Sequence, residues 1–151
     1  MSISFEKSMF VPRSPEQVFD MLDDFSVTPK WLDRCIRFQK HQPGPNEVGD
    51  AVRYVYLDGL RLGVMEGIIT ARCRAEHLSC QYADRKMTVS IAFRMRPRGP
   101  GTYLTHNVDI LPKGFLARLM APLIRRTLSA QTTSAMVRLR DCLLHIPLHH
   151  S

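Results

Sequence analysis

The chain has 151 residues, of which 44% are hydrophobic and 23% charged, a composition typical of a soluble globular protein with its own core. No apolar run reaches the roughly 18 residues of a membrane-spanning helix and no apolar signal core is found, so we predict no transmembrane segment and expect a cytoplasmic location. The net charge of +7 is spread along the chain without a block of like charges, so we expect no DNA partner and leave open a weak acidic partner for the basic surface.

The first predicted strand runs from Ile3 to Val11, where apolar and polar residues alternate as in a strand with one buried face. Ser14 and Gln17 follow at the spacing of a helix-capping box, which predicts the start of a helix. A second cap-then-proline signal in residues 28–31 predicts another, very short helix. The chain therefore begins with a strand and a bent pair of helices over about residues 15–33.

A long series of strand-like segments follows, and together with the first strand they predict an antiparallel sheet of about seven strands. Asp58 and Gly59 form a strong two-residue hairpin signal. Gly63 and Gly67 lie inside a predicted strand, where they suggest bulges that let the sheet curve. The predicted strands after the helices cover residues 35–41, 50–57, 60–73, 77–82, 87–95 and 102–111.

The remaining chain, from Phe115 to about His145, is predicted to form one long helix, because apolar residues recur every three, four or seven positions. Pro122 falls inside this pattern and should kink the helix, since proline lacks the N–H group that a helix interior uses. Polar residues at 129–134 interrupt the apolar stripe, with Thr132 among those nearest to it. They either leave volume beneath the sheet or form an exposed polar turn.

These elements and several short motifs resemble the SRPBCC, or START-like, superfamily, and within it the polyketide cyclase/dehydrase and lipid-transport group. The matching segments are residues 11–19, Trp31, residues 48–50, residues 101–102 and residues 113–143. The resemblance implies an α+β helix-grip fold, in which a curved antiparallel sheet of about seven strands wraps around a long C-terminal helix and two short helices follow the first strand. It further implies one domain over residues 1–146, with a disordered tail at 147–151.

Members of this superfamily bind lipids, quinones, hormones or polyketides, and some catalyse reactions. The resemblance therefore implies an internal cavity for a small, mainly hydrophobic ligand, but it provides no family-wide catalytic motif. The sequence itself contains no Gly-rich phosphate loop, nucleophile elbow or zinc-protease motif. Its four cysteines form no C-x-x-C pair and have no histidine at zinc-ligand spacing. We thus predict no catalytic residue, no metal and no cofactor.

The apolar faces of two predicted strands supply the first candidate ligand-binding residues. Period-two alternation selects one side of the strand that starts at Met87, and it places His106 on the apolar side of the last strand. This histidine is either a core residue with one hydrogen-bond partner or a polar group that anchors a ligand or transfers protons. The candidates from the strand that starts at Met87 are Val89, Ile91, Phe93 and Met95.

Other elements contribute further candidates. Trp31 follows the short helix that should cover the cavity mouth, so it is a candidate lid residue, with ordinary packing as the alternative. Tyr54 suits a cavity wall or helix packing. Val64 and Glu66 share one strand phase, which would place a carboxylate inside, where it needs a partner. The neighbouring glycines make this phase unreliable, so a solvated Glu66 is slightly preferred. Leu128 and Thr132 complete the set from the long helix.

The preferred function is the binding or transport of a hydrophobic lipid, quinone or polyketide-like molecule. The sequence does not indicate the oligomeric state. One alternative is a polyketide cyclase, aromatase or dehydratase, in which His106 or a tyrosine moves protons. A second alternative is an RNA- or ribosome-associated module with a basic outer face. A carrier needs only apolar walls, an enzyme needs at least two titratable groups converging inside, and an RNA-associated protein needs its arginines on one face.

Overall fold

The structure is a computed structural model, and it describes residues 2–146. In chain order the strands and helices are as follows: β1 (Ile3–Val11), α1 (Pro15–Asp23), a 3-10 turn (Phe25–Val27), α2 (Thr28–Trp31), β2 (Cys35–Lys40), β3 (Ala51–Asp58), β4 (Arg61–Cys73), β5 (His77–Ala83), β6 (Met87–Arg98), β7 (Gly101–Pro112), α3 (Phe115–Leu119) and α4 (Ala121–Leu144). The predicted tail at 147–151 lies outside the described residues.

The seven strands form one antiparallel sheet in the order β1-β7-β6-β5-β4-β3-β2. One face of this sheet, called here the inner face, packs against the helices and contains most of the buried side chains. The other face is the outer face. This arrangement confirms the predicted helix-grip fold, with the curved sheet around the C-terminal helix and the short helices after β1.

The start of α1 has the local structure that its sequence predicts. Gln17 N donates to Ser14 Oγ at 3.2 Å, and Ser14 N donates to Gln17 Oε1 at 3.2 Å, so both halves of the capping box are present. The buried side chains of α1 are Val18, Phe19 and Leu22. Arg72 of β4 pairs with Asp23 at 2.7 Å, and this ion pair connects the end of α1 to the sheet.

The C-terminal helix differs from the prediction, because it is divided at Met120 into α3 and α4. Pro122 lies in the first turn of α4 rather than in the interior of a longer helix. The N–H groups of a first helical turn have no acceptor within the helix, so a proline is accommodated there without loss. The prediction of one continuous helix with a kink was therefore wrong.

The glycines of β4 also act differently from the prediction. The register irregularities lie at Cys35/Arg37 and at Ile69/Ala71, not at Gly63 or Gly67. A Cβ atom at Gly63 would overlap the ring of Tyr56, and one at Gly67 would overlap the backbone of β5. These glycines thus permit close approach of neighbouring strands.

The β3–β4 hairpin turns at Gly59 and Leu60, one residue later than predicted, since Asp58 pairs with Arg61. Gly59 has φ +64°, a value that favours glycine. Within residues 2–146, no helix has the length and apolar character needed to cross a bilayer.

Candidate functional site

The inner face of β6 and β7 brings together most of the predicted lining residues. Val89, Phe93 and Met95 are buried there, and Ile91 is half-buried. His106 of β7 is opposite Phe93 in the register and is also buried. The period-two alternation therefore placed these five side chains on the correct face of the sheet.

His106 lies in an apolar environment. Its ring meets that of Phe93 edge to face, with ring centroids 3.9 Å apart. Burial lowers the pKa of His106 to about 3, and no hydrogen bond or charged group within residues 2–146 contributes to this shift. The imidazole is therefore neutral near pH 7 and offers one donor and one acceptor nitrogen.

Trp31 at the end of α2 is packed on the inner face, as in the alternative of ordinary packing. Its side chain is only 5% exposed and contacts Phe93 edge to face, with centroids 6.0 Å apart. A role as a lid over a cavity mouth stays a prediction. Its indole Nε1–H is buried and has no acceptor within residues 2–146.

A second group of aromatic rings covers the inner face of β2 to β5. The Tyr54 centroid lies 5.5 Å from that of Tyr82 and 5.9 Å from that of Phe38, and its ring stacks on Tyr56 at 5.2 Å. Burial raises the pKa of Tyr54 and of Tyr82. Burial and the hydrogen bond from Tyr56 Oη to Asp84 Oδ2 (3.0 Å) raise the pKa of Tyr56 to about 12. All three hydroxyls therefore remain protonated donors near pH 7.

Val64 and Glu66 are the two candidates that the structure places on the wrong side. Both are exposed on the outer face, where Glu66 Oε1 accepts from Arg53 Nε at 2.6 Å. The inner positions of this part of β4 are occupied by Met65 and by glycines. Glycine contributes no apolar side chain to the sequence pattern. The apolar positions that remain visible in this part of β4 therefore suggested that the outer face was the buried one.

The middle of α4 faces this site only in part. Leu128 and Thr132 are half-buried, and Leu128 packs against the core. Gln131 Nε2 donates to the carbonyl oxygen of Asp33 at 3.0 Å, so this polar residue connects α4 to the segment after α2. At least one of the polar residues predicted to leave volume beneath the sheet therefore has a structural contact.

Lys7 is a polar residue that the sequence analysis did not include among the candidates. It is on the inner side of β1, opposite His106 in the register, and is half-buried. It forms no salt bridge within residues 2–146. The signal was present in the sequence, because Lys7 interrupts the apolar side of an otherwise regular alternating strand.

Neither of two open pockets within residues 2–146 is the predicted cavity between the sheet and the C-terminal helix. One of about 490 Å³ lies between Met21 of α1 and the end of α4, with Arg138 and Cys142 in its wall. The other, of about 210 Å³, is on the outer face beside Ser90 and Asn107. Within the described part of the chain, no group of three or more His, Cys, Asp or Glu residues could hold a metal ion.

The inner face thus combines aromatic rings with a few polar groups. The polar groups include one neutral imidazole, protonated phenols, the half-buried Lys7 and an indole N–H that has no acceptor within the described residues. Such a surface can hold a ring-bearing molecule and direct hydrogen bonds to its carbonyl or hydroxyl oxygens. Within residues 2–146 no hydrogen bond or charged group contributes to the pKa shift of His106, and the titratable side chain opposite it in the register is the half-buried Lys7.

Comparisons with known proteins identify a matching family and a shared fold. A family model described as "Polyketide cyclase / dehydrase and lipid transport" matches residues 2–142. A search of the curated proteins found no match. The family and the structural neighbours fit hydrophobic-ligand binding or a polyketide cyclase type of function.

Several solved structures share the fold. A START superfamily protein from Mycobacterium smegmatis is 15% identical, with a TM-score of 0.77 over 95% of this chain and 99% of that one. The Zhui aromatase/cyclase from Streptomyces sp. R1128 is 10% identical, with a TM-score of 0.78 over 95% of this chain and 94% of that one. The protein TTHA0849 from Thermus thermophilus is 12% identical, with a TM-score of 0.78 over 93% of this chain and 97% of that one.

Proposed function

Since the chain belongs to the polyketide cyclase/dehydrase and lipid transport family, we propose that it binds and carries a small, mainly hydrophobic molecule between the inner face and α4. The observation that supports this most is the indole N–H of Trp31, which is buried without an acceptor within residues 2–146. A buried donor without a partner costs about 1–3 kcal/mol. A ligand oxygen that accepts this hydrogen bond would remove that cost.

The aromatic composition of the site favours a ligand with flat rings. Phe93 contacts both Trp31 and His106 edge to face, and Tyr54 and Tyr82 present further rings along the same face. Aromatic pairs contribute about 0.5–1.5 kcal/mol beyond the burial of their area. A quinone or polyketide-like molecule obtains this contribution, whereas a saturated acyl chain does not.

Entry of the ligand requires an opening, since neither open pocket is the predicted cavity. The first half of α4 is the part that can move most easily. Beyond Ala121, its buried residues begin only at Ala135, and Leu123 is 54% exposed. Segments with few buried apolar contacts open at low free energy. In our proposal, the first half of α4 moves away from the sheet to admit the ligand.

Calorimetric titration with a naphthoquinone, with naphthalene and with a saturated fatty acid tests this proposal. We expect the quinone to bind more tightly than the fatty acid. Trp31→Phe keeps the aromatic packing but removes the N–H group, so the affinity for the quinone should fall about two- to tenfold while that for naphthalene should not change. Tyr103→Phe on the outer face is the matched control.

Two results would contradict the proposal. If none of the three compounds binds, the inner face is not a hydrophobic ligand site of this kind. If Trp31→Phe weakens naphthalene and the quinone equally, the indole acts only through packing and the hydrogen bond plays no part.

The second candidate is a polyketide cyclase type of enzyme, and the observation that favours it is the neutral imidazole of His106 on the inner face. For a carrier, His106→Gln should leave ligand affinity within about tenfold, because one hydrogen bond contributes roughly 0.5–1.5 kcal/mol. For an enzyme, the same change should lower turnover of a polyketide-like substrate by roughly 10²–10⁴ with little effect on binding. The carrier is preferred because no hydrogen bond or charge within residues 2–146 contributes to the pKa shift of His106.

A further inference from the structure

One end of the sheet exposes an unusual concentration of large apolar side chains. Leu60 at the tip of the β3–β4 hairpin is fully exposed, and Phe115 and Leu116 of α3 are 78% and 73% exposed. No residue of α3 is buried. We call this surface the apolar rim, and it consists of Leu57, Leu60, Leu62, Phe115, Leu116 and Leu119.

The hairpin and α3 are held at the same end of the sheet by the turn between β5 and β6. Lys86 Nζ lies 3.2 Å from Asp58 Oδ2 in the hairpin. Lys113 N donates to the carbonyl oxygen of Lys86 at 2.8 Å, just before α3 begins. Lys113 Nζ also donates to the carbonyl oxygen of Asp84 at 2.8 Å. The two halves of the apolar rim therefore lie at the same end of the sheet.

Basic side chains surround the apolar rim. Asp58 is already paired with Lys86, whereas the other basic residues of this end form no salt bridge within residues 2–146. These basic residues are Arg61, Arg85, Lys113, Arg118, Arg125 and Arg126, and all of them are exposed. The surface is thus apolar at its protruding points and positively charged around them.

We propose that the apolar rim docks on the surface of an anionic lipid bilayer. Exposed apolar side chains enter the boundary between headgroups and acyl chains, while lysine and arginine attract anionic headgroups. A second copy of this chain would bring two positive surfaces together. A hairpin tip and a short helix are both convex, and a fluid bilayer accommodates both without a matching concave surface. This proposal goes beyond ligand binding. It rests on exposed residues only and does not require the proposed ligand site.

Vesicle flotation with the full chain tests the proposal. Vesicles of phosphatidylcholine with phosphatidylglycerol should bind the protein at low salt, so that it floats with them. Vesicles of phosphatidylcholine alone should bind far less of the protein. Added salt should release it, because it screens charges at the surface. Binding to both kinds of vesicle alike, or to neither, overturns the proposal. The second outcome would direct attention to an acidic protein as the partner of this surface.

Substitutions locate the contact. Leu60→Ser combined with Phe115→Ser should weaken vesicle binding by about tenfold or more, since each removes an apolar side chain from the bilayer. The matched control is Val48→Ser, an exposed apolar residue in the loop before β3, at the opposite end of the sheet. If the control weakens binding as much as the double substitution does, the apolar rim is not the docking surface.

A charge reversal and a spectroscopic reporter complete the test. Arg125→Glu with Arg126→Glu should reduce binding to anionic vesicles severalfold, whereas Arg140→Glu near the other end of α4 should not. In a Phe115→Trp protein, lipids brominated in their acyl chains should quench the new fluorescence. Unchanged fluorescence under conditions where the vesicles retain the protein would show that α3 does not enter the bilayer.

Discussion

The two halves of α4 have the same backbone conformation but different roles in the molecule. In the second half, Ala135, Met136, Leu139 and Leu143 are buried, whereas in the first half only Ala121 is buried. The second half is therefore part of the core, and the first half is a cover over the inner face. The comparison teaches that helical structure alone does not show which part of an element holds the fold together.

The largest effect that we expect is on stability, and it tests the assignment of the second half to the core. Leu139 is fully buried, so Leu139→Ala should lower the free energy of unfolding by about 2–5 kcal/mol, from lost burial and the cavity left behind. Leu128→Ala in the half-buried cover should lower it by clearly less. Urea unfolding of both variants measures the difference. Equal losses would mean that the two halves pack equally well.

The pH dependence of stability tests the burial of His106. Burial lowers the pKa of His106 from 6.5 to about 3 in the folded protein, so the unfolded state binds the proton first as the pH falls. The contribution of His106 to the free energy of unfolding is therefore fully present above about pH 6.5. It decreases by about 1.4 kcal/mol for each pH unit between that pH and about pH 3.

His106→Gln should remove this part of the acid sensitivity, which urea unfolding at several pH values would measure. NMR titration of the imidazole in the native protein gives an independent value. A measured pKa near 6.5 would show that solvent reaches the ring in the native protein.

A smaller effect is expected where the cover is attached to the rest of the fold. Gln131→Ala removes the hydrogen bond to the carbonyl oxygen of Asp33 and should lower the free energy of unfolding by about 0.5–1.5 kcal/mol. Hydrogen exchange should become faster in the first half of α4 and remain unchanged near Leu139. Faster exchange along the whole helix would show that the two halves open together.

The smallest effect concerns an exposed contact at the same segment. Arg138 Nη1 lies 3.6 Å from Asp33 Oδ1, and both side chains are about half exposed. Such surface pairs typically contribute about 0–1 kcal/mol. Arg138→Ala should therefore change the midpoint of thermal unfolding little, and less than Gln131→Ala does. If Arg138→Ala lowers the unfolding midpoint more than Gln131→Ala does, the ion pair with Asp33 contributes more to the attachment of α4 than the Gln131 hydrogen bond.

Local sequence signals predicted much of the fold because they reflect short-range physics. The bounds of β1 and the capping box at Ser14 were predicted correctly, since alternation and cap chemistry involve neighbouring residues only. The same alternation placed His106 and Phe93 on the inner face. The break at Met120 was missed because the apolar spacing continues across it and Pro122 is compatible with either a kink or a new helix.

The candidate site was less predictable because it depends on contacts between distant segments. The phase of Glu66 stayed open because the inner side of β4 contains glycines, whose importance becomes visible only when the ring of Tyr56 and the backbone of β5 are placed against them. The position of Trp31 depends on how α2 meets β6, and no local pattern contains that information. Lys7 was visible as an exception, but its neighbour His106 belongs to the last strand, far away along the chain.

The close approach of β4 to its neighbours has a consequence for how the size of the site is determined. At Gly63 the wall of the site is bare main chain, and the ring of Tyr56 fills the space that another side chain would occupy, whereas Gly67 lies against the backbone of β5. Replacing Tyr56 by a smaller residue would therefore enlarge the interior without any change in α4 or in the strand pairing. The breadth of ligand that this scaffold accommodates can thus vary through single aromatic positions, while the framework around them remains constant.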